Sequence, residues 1–256
     1  MFWMLLHAWP KRANLRSMTD LRLTLSPPWL EADLGAPHRV LSWASHRPGF
    51  VTARRVLWRE VRNADLTLDL DVGTWLRAQL AARDAKDAVT MLTSRCLEGH
   101  VRRFAQVGRA RAECIATVGL SNAERIGSRL GVGQGWGTIN LLVHLSPGLT
   151  ETALIEAVSI AAQARTTAIL DAGIVLPTGQ ATGTGTDCIV LAALSGDMEF
   201  CGLHTEIGEA LGRAVYESVA QGAADWLANP YAEKAPTSRQ APKAMGVCQG
   251  SGSPST

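Results

Sequence analysis

The sequence predicts an α+β fold, a single domain in which mixed, largely antiparallel sheet layers pack with a few helices. Three observations point there. The first half of the chain holds several short runs rich in Val, Leu and Trp, with one stretch of helical spacing among them. Two long segments of helical character follow in the second half, separated by one more strand-like run. Strands and helices do not alternate regularly along the chain, as a doubly wound sheet requires.

Strand-like residues fill 38–44 and 50–61, with charges interspersed among Val, Leu and Trp. Residues 71–82 read as a helix, because Val72, Trp75, Leu76 and Leu80 recur at helical spacing. Residues 88–93, 101–107 and 112–118 read as further strands. In 137–145 the alternation is clear: Ile139, Leu141 and Val143 take one face, Thr138 and Asn140 the other. Residues 150–172 are Ala-rich and apolar nearly all round, which predicts a helix buried on more than one side. A strand at 188–194 precedes an amphipathic helix over 205–227, where Ile207, Leu211, Val215, Val219 and Trp226 share a face.

A chain of 256 residues can hold one large domain with its own core. With 46% hydrophobic and 19% charged residues it reads as a soluble globular protein. A net charge of +2, with no basic run interleaved with aromatics, gives no reason to expect a nucleic-acid partner. Residues 1–6 are apolar but too few to span a bilayer, and they lack the positive region that opens a signal peptide, so no membrane role is expected. Residues 1–19 read as a poorly ordered N-terminal extension, with Met18 an alternative start. Residues 229–256, rich in Pro, Ser, Gly, Lys and Gln, read as a disordered tail. The domain then spans 20–228.

Five cysteines, an odd number without C-x-x-C spacing, predict neither a disulfide framework nor a zinc site. They read as reduced thiols packed as small apolar groups in a cytoplasmic protein. His7, His38, His46, His100 and His144 show no ligand spacing, and no metal site is expected.

Chemistry concentrates in a few segments. In Ala181-Thr182-Gly183-Thr184-Gly185-Thr186-Asp187, two glycines two apart free the backbone to turn its amides toward an oxygen. A strand follows where a dinucleotide fingerprint needs a helix, and no Gly-Lys-Ser/Thr marks a P-loop. Asp187 is then either a base for water or an acceptor that caps the loop's own amides. Gly119-Leu120-Ser121-Asn122-Ala123-Glu124 approximates a nucleophile elbow, but Ser121 and Glu124 also fit a capping box at a helix start, which is the better match. Trp136, in Gly133-Gln134-Gly135-Trp136-Gly137, covers the core or offers a flat surface to a planar ligand. Asn140, polar in an apolar strand, ties down a loop or reads a ligand amide. His204-Thr205-Glu206 opens the last helix, with Thr205 as N-cap and Glu206 facing the helix dipole. Gly208-x-x-x-Gly212 would let that helix approach a neighbour.

Taken in order, Val118-Gly119-Leu120-Ser121-Asn122-Ala123, Gly137-Thr138-Ile139-Asn140, the helix opening Ala153-Leu154-Ile155-Glu156-Ala157, the Gly-Thr loop, Thr205-Glu206-Ile207-Gly208 and Gly212-Arg213-Ala214-Val215-Tyr216 resemble the adenosylcobinamide amidohydrolase family. Segment 41–50 matches less well, departing from the family's Gly-containing, Ser-rich stretch at His46, Arg47 and Pro48. The resemblance implies hydrolysis of the amide between the aminopropanol arm and a propionate side chain of adenosylcobinamide. The product is adenosylcobyric acid, for cobalamin salvage or the remodelling of corrinoids such as adenosylpseudocobalamin.

Cobalt arrives with the corrinoid substrate, so no protein cofactor is implied. Asp187 or Glu206 is the expected activator of water, with amides of 183–185 holding the oxyanion and His204 donating a proton. Ser121, Asn122, Trp136, Asn140, Gly183, Thr184, Gly185 and Thr186 are the expected substrate contacts. A covalent route through Thr184, Thr186 or Ser121 stands beside this. So do two other classes, a non-catalytic corrinoid carrier or sensor and a serine esterase or peptidase. The oligomeric state is not legible.

Overall fold

A computed structural model describes residues 21–62, 65, 69–130 and 137–230. The expected N-terminal extension, Trp136 with its glycine loop, and the tail past Pro230 lie outside the described residues. In chain order the elements are β1 (Arg22–Ser26), β2 (Trp29–Ser42), β3 (Gly49–Glu60), α1 (Val72–Ala82), β4 (Val89–Thr93), β5 (Val101–Val107), β6 (Ala110–Val118), β7 (Ala123–Glu124), β8 (Ile139–Leu149), α2 (Glu151–Asp171), β9 (Val175–Leu176), β10 (Gly179–Gln180), β11 (Gly183–Thr184), β12 (Cys188–Ser195) and α3 (Glu206–Ala228). A short 3₁₀ turn, Leu97–Gly99, precedes β5.

The main sheet runs β4-β3-β2-β12-β8-β6-β5, with β1 beside the first part of β2. Two of its pairs are parallel, β3 with β4 and β12 with β8. Parallel neighbours cannot be joined by a tight turn, and α1 and α2 supply the two crossovers. This is the mixed, largely antiparallel α+β architecture that the pattern predicts. Strand β1 and the first part of β2 were not legible. They are short, flank Pro27 and Pro28, and are set apart by a register shift between Asp33 and His38.

The period of two along each strand sorts the core into two layers. Leu141, Val143 and Leu145 of β8, Ile189 and Leu191 of β12, and Cys114, Ala116 and Val118 of β6 pack beneath α2 and α3. On the opposite face Leu142, Ile115 and Val190 meet Leu30, Val40, Val56, Trp58 and Met91 from β2, β3 and β4, with no α-helix contributing among the described residues. The sheet therefore curls until its concave face covers itself. Asn140 shows this directly: its Nδ2, on β8, donates to the Leu92 carbonyl on β4 at 2.6 Å. On the outside of β2 and β3, Leu76 and Leu80 of α1 pack on Trp29 and Leu57, and the Arg59 guanidinium lies 5.4 and 5.1 Å from the Trp29 and Trp75 rings.

Each helix starts on a side-chain cap. Asp71 accepts from Thr74, Thr150 from Ala153 and Thr205 from Gly208, at 3.1, 3.2 and 3.0 Å. By length and composition α2 could cross a membrane, but Ala153, Leu154, Ala157, Ile160 and Ala161 are buried in the layer it shares with α3 and the sheet. Gly208 does permit a close approach, to the turn before α3: a Cβ there would stand 2.1 Å from the Gly202 carbonyl oxygen. Gly212 has only Ile160 nearby, at 3.8 Å.

The concave core carries buried polar groups. His38 and His144 face each other with Nε2 atoms 3.0 Å apart, and His38 Nδ1 lies 2.7 Å from the Ala36 carbonyl. That carbonyl requires the proton of a neutral His38 on Nδ1, which leaves its Nε2 to accept from His144. Burial pushes both imidazoles below the usual histidine range, His144 to about 3.

Candidate active site

Three segments far apart in sequence meet at the end of the sheet where β6 finishes and β8 and β12 begin. Gly119 N donates to the Thr138 carbonyl at 3.0 Å. The two-residue strand β7 pairs antiparallel with β11, placing Ala123 opposite Thr184 and Glu124 opposite Gly183. Gly185 N donates to the Asn122 carbonyl at 3.1 Å. Thr138 Oγ1 lies 2.8 Å from the Thr186 carbonyl and 3.1 Å from Asn140 Oδ1, and Thr186 Oγ1 donates to the Gly137 carbonyl at 3.0 Å. Gly137 is needed for this approach, since a Cβ would sit 2.8 Å from both the Gly119 oxygen and the Ser121 nitrogen.

Asp187 is the hub. Its Oδ1 accepts from Ile139 N at 3.1 Å and from the Thr184 hydroxyl, and its Oδ2 accepts from Thr184 N at 3.1 Å and contacts the Arg165 guanidinium. The side chains of Asp187 and Arg165 are 8% and 17% exposed, so the ion pair is withdrawn from water. Burial pulls the Arg165 guanidinium below its usual range. A Cβ on Gly183 would lie 2.5 Å from Arg165 Nη1 and 2.6 Å from Asp187 Oδ2; its hydrogen leaves room for the pair. The Asp187 carbonyl in turn accepts from Trp43 Nε1 at 2.7 Å.

Several expectations change. A carboxylate offers about four acceptor sites, and four donors take those of Asp187, leaving none for a water. The amides of Thr184 and Gly185 are spent on Asp187 and on the Asn122 carbonyl, so they do not form an oxyanion hole. Segment 119–124 leads into β7 rather than a helix. Ser121 and Glu124 therefore make no capping box, and the strand-turn-helix of a nucleophile elbow is missing. The Glu124 carboxylate accepts instead from Leu130 N, at 3.2 Å to Oε2.

Glu206 and His204 lie at the other end of the sheet. Glu206 Oε2 accepts from Arg109 N at 3.1 Å, in the turn joining β5 to β6. From there β6 runs its whole length, about 26 Å at the rise of a strand, before Val118 reaches the level of Ile139 and the Asp187 carboxylate. One amide bond cannot be served from both ends.

Asn122, Asn140, Gly183, Thr184, Gly185 and Thr186 do come together. Asn140 is committed to Leu92 and Thr138. The Asn122 carboxamide lies over Gly185, with Nδ2 3.0 Å from where a Cβ would be. The three residues by which segment 41–50 departs from the family pattern lie in the connection between β2 and β3. His46 pairs its backbone with Thr90, Arg47 donates to the Thr52 carbonyl at 3.1 Å, and Pro48 lies between Arg47 and β3.

Thiol chemistry is not prepared at this site: burial pushes Cys188, directly after Asp187, up to about 12. Among the described residues one group of three potential metal ligands occurs, Glu60, Cys96 and Glu98, with ligand atoms within 4.8 Å of one another. It contains no histidine. Glu60 already accepts from Arg62 at 2.8 Å and from Leu97 N at 3.2 Å.

The family model for adenosylcobinamide amidohydrolase matches residues 14–230. The chain belongs to this family. An uncharacterized protein of Methanocaldococcus jannaschii, MJ1613, is 37% identical over 87 residues, 32% of this chain and 34% of that protein. The chain thus aligns with about a third of that relative's length. A crystal structure of the PH0078 protein from Pyrococcus horikoshii has a TM-score of 0.37 at 8% identity, covering 76% of each chain.

In this adenosylcobinamide amidohydrolase family member, three of the segments that resemble the family in sequence, 118–123, 137–140 and the Gly-Thr loop, meet around Asp187, while those at 205–208 and 212–216 belong to α3 and its start. Two residues around Asp187 escaped sequence reasoning. Arg165 is one cation in a helix otherwise read for its apolar residues. Trp43 lies 144 positions from its partner Asp187, a distance over which no local pattern operates.

Proposed function

We propose that the protein hydrolyses the amide joining the aminopropanol arm to a propionate side chain of adenosylcobinamide, releasing adenosylcobyric acid and aminopropanol. Family membership supports the reaction class. One observation carries the location: the Thr184 hydroxyl donates directly to the buried Asp187 carboxylate, at the point where the three family segments converge. A hydroxyl bonded to a positioned base is the arrangement for nucleophilic catalysis.

In this mechanism Thr184 Oγ1 attacks the amide carbonyl carbon and its proton moves to Asp187. The Asn122 carboxamide, on the neighbouring turn, donates to the oxygen that becomes negative. Collapse of the tetrahedral intermediate breaks the C–N bond, and the proton held by Asp187 passes to the departing amine. Water then hydrolyses the threonyl ester, restoring the hydroxyl and giving the free acid. Arg165 supplies the opposite charge that holds Asp187 beneath the loop. Activation of water by Asp187 fits less well, because Thr184 occupies the acceptor site that water would need. Free thiols at Cys96, Cys114, Cys188 and Cys201 suit a cytoplasmic setting, where glutathione keeps cysteines reduced.

A non-catalytic corrinoid carrier or sensor is the alternative, favoured by the engagement of the loop amides with the protein itself. Incubation with adenosylcobinamide followed by mass spectrometry separates the two. Hydrolysis yields adenosylcobyric acid and free aminopropanol. A carrier returns the corrinoid intact after stoichiometric binding, and that result would remove the hydrolytic assignment.

A further inference from the structure

Trp43 follows the last residue of β2 and stands 49% exposed, although its indole N–H is tied to the Asp187 carbonyl at 2.7 Å. An exposed tryptophan normally keeps its rotamer freedom. This one is fixed by a hydrogen bond to the residue at the centre of the candidate site, while much of its ring is left to solvent among the described residues. Phe50 on β3, 44% exposed, is the cross-strand partner of Leu41. Trp43 comes two residues after Leu41, so both exposed aromatics lie where β2 ends and β3 begins. The exposed Trp43 ring, fixed beside the Asp187 loop, offers a flat apolar surface that the core does not require.

The substrate of the proposed reaction presents a limited choice of flat partners. A corrin carries an adenosyl ligand on its upper face and side chains projecting from its rim toward both faces, which crowd its plane. The adenine of the adenosyl ligand is an unobstructed aromatic plane. We infer that Trp43 is the platform on which this adenine stacks, making it the residue that distinguishes adenosylated corrinoids from those with a small upper ligand. This rests on the proposed corrinoid substrate. The hydrogen bond to Asp187 would then fix the distance between the recognised nucleobase and the Thr184 hydroxyl.

Titration calorimetry with adenosylcobinamide and with cyanocobinamide, which lacks the nucleoside, tests this. Removing an aromatic side chain from beneath a nucleobase weakens binding by roughly 5- to 150-fold. Trp43→Ala is expected to lose affinity for adenosylcobinamide by a factor in that range and to bind cyanocobinamide as the wild type does. Trp43→Phe keeps a ring and loses the N–H, and is expected to retain most of the adenosyl preference. Trp43→Leu, with apolar bulk and no ring, replaces Trp43→Ala if that variant does not fold.

Equal losses for both corrinoids in Trp43→Ala, or the same loss of preference in Trp43→Phe as in Trp43→Ala, overturn the inference and reduce Trp43 to a tether. A wild type without preference for the adenosylated ligand overturns it as well, whether or not the ligand is hydrolysed. A wild type that prefers the adenosylated form through Trp43 but releases no aminopropanol removes the hydrolysis and leaves the platform standing.

Discussion

Replacing either partner of the Asp187–Arg165 pair is expected to destabilise the domain and silence the site together. The two side chains are 8% and 17% exposed, so deleting one strands the other charge out of water. Breaking a buried pair in this way costs about 3–5 kcal/mol. For a domain of this size each kcal/mol corresponds to about 2–4 °C in Tm, which predicts a fall of roughly 6–20 °C in Asp187→Ala or Arg165→Leu. Asp187→Ala also releases Thr184 N and Ile139 N and should lie at the upper end. The double variant Arg165→Leu/Asp187→Asn leaves no stranded charge, and its amide oxygen can still accept from the loop. It should therefore lose clearly less stability than the single losses of Arg165→Leu and Asp187→Asn added. Thermal unfolding followed by circular dichroism reads all of these. Single variants with unchanged Tm, or a double variant that loses the full sum, would show that the pair is not the buried anchor described here.

Other outcomes follow from the same geometry. Gly183→Ala places a methyl 2.5 Å from Arg165 Nη1 and 2.6 Å from Asp187 Oδ2; turnover of adenosylcobinamide should collapse while the far-UV spectrum is retained, and wild-type turnover would contradict it. Glu206→Gln and His204→Gln, at the far end of β6, should hydrolyse adenosylcobinamide at wild-type rates, and a loss beyond about tenfold in kcat would return those residues to the mechanism.

Acid should weaken the fold through the buried histidines. His38 and His144 have folded values below 6.5, so the unfolded chain binds more protons below that pH and stability falls as pH drops. With His144 near 3, that residue alone removes about 2.5 kcal/mol between pH 7.5 and 4.5. Urea unfolding across this range should show the loss, and His144→Gln should flatten it; an equal slope in the variant would assign the acid sensitivity elsewhere.

Much of the fold was legible because its elements carry strong local signals. The two long helices begin on the threonines that precede their apolar runs, and β8 divides into Ile139, Leu141 and Val143 on one face and Asn140 on the other, as alternation requires. The first strands were hidden by prolines and a register shift, which interrupt the period on which strand recognition depends.

The gathering of the Gly-Thr loop with segments 119–124 and 137–140 followed from family resemblance, because residues as distant as Asn122 and Gly185 are joined by the fold and by no spacing. Glu206 was misplaced for the same reason. Its motif is good helix-start chemistry, and sequence order cannot tell which end of a strand a helix start will reach. Asp187 was legible as a carboxylate in a turn, but the donors that saturate it, Arg165 and Ile139 among them, come from other elements.

The most direct measurement is the rate of aminopropanol release from adenosylcobinamide by Thr184→Ala, compared with wild type and with Thr184→Ser. If Thr184 is the attacking hydroxyl, Thr184→Ala loses on the order of a thousandfold or more in kcat, while Thr184→Ser retains measurable turnover and hydroxylamine diverts part of its product to the hydroxamate. Thr184→Ala turning over at the wild-type rate, folded and with Asp187 in place, would contradict the account and move the chemistry away from the Gly-Thr loop.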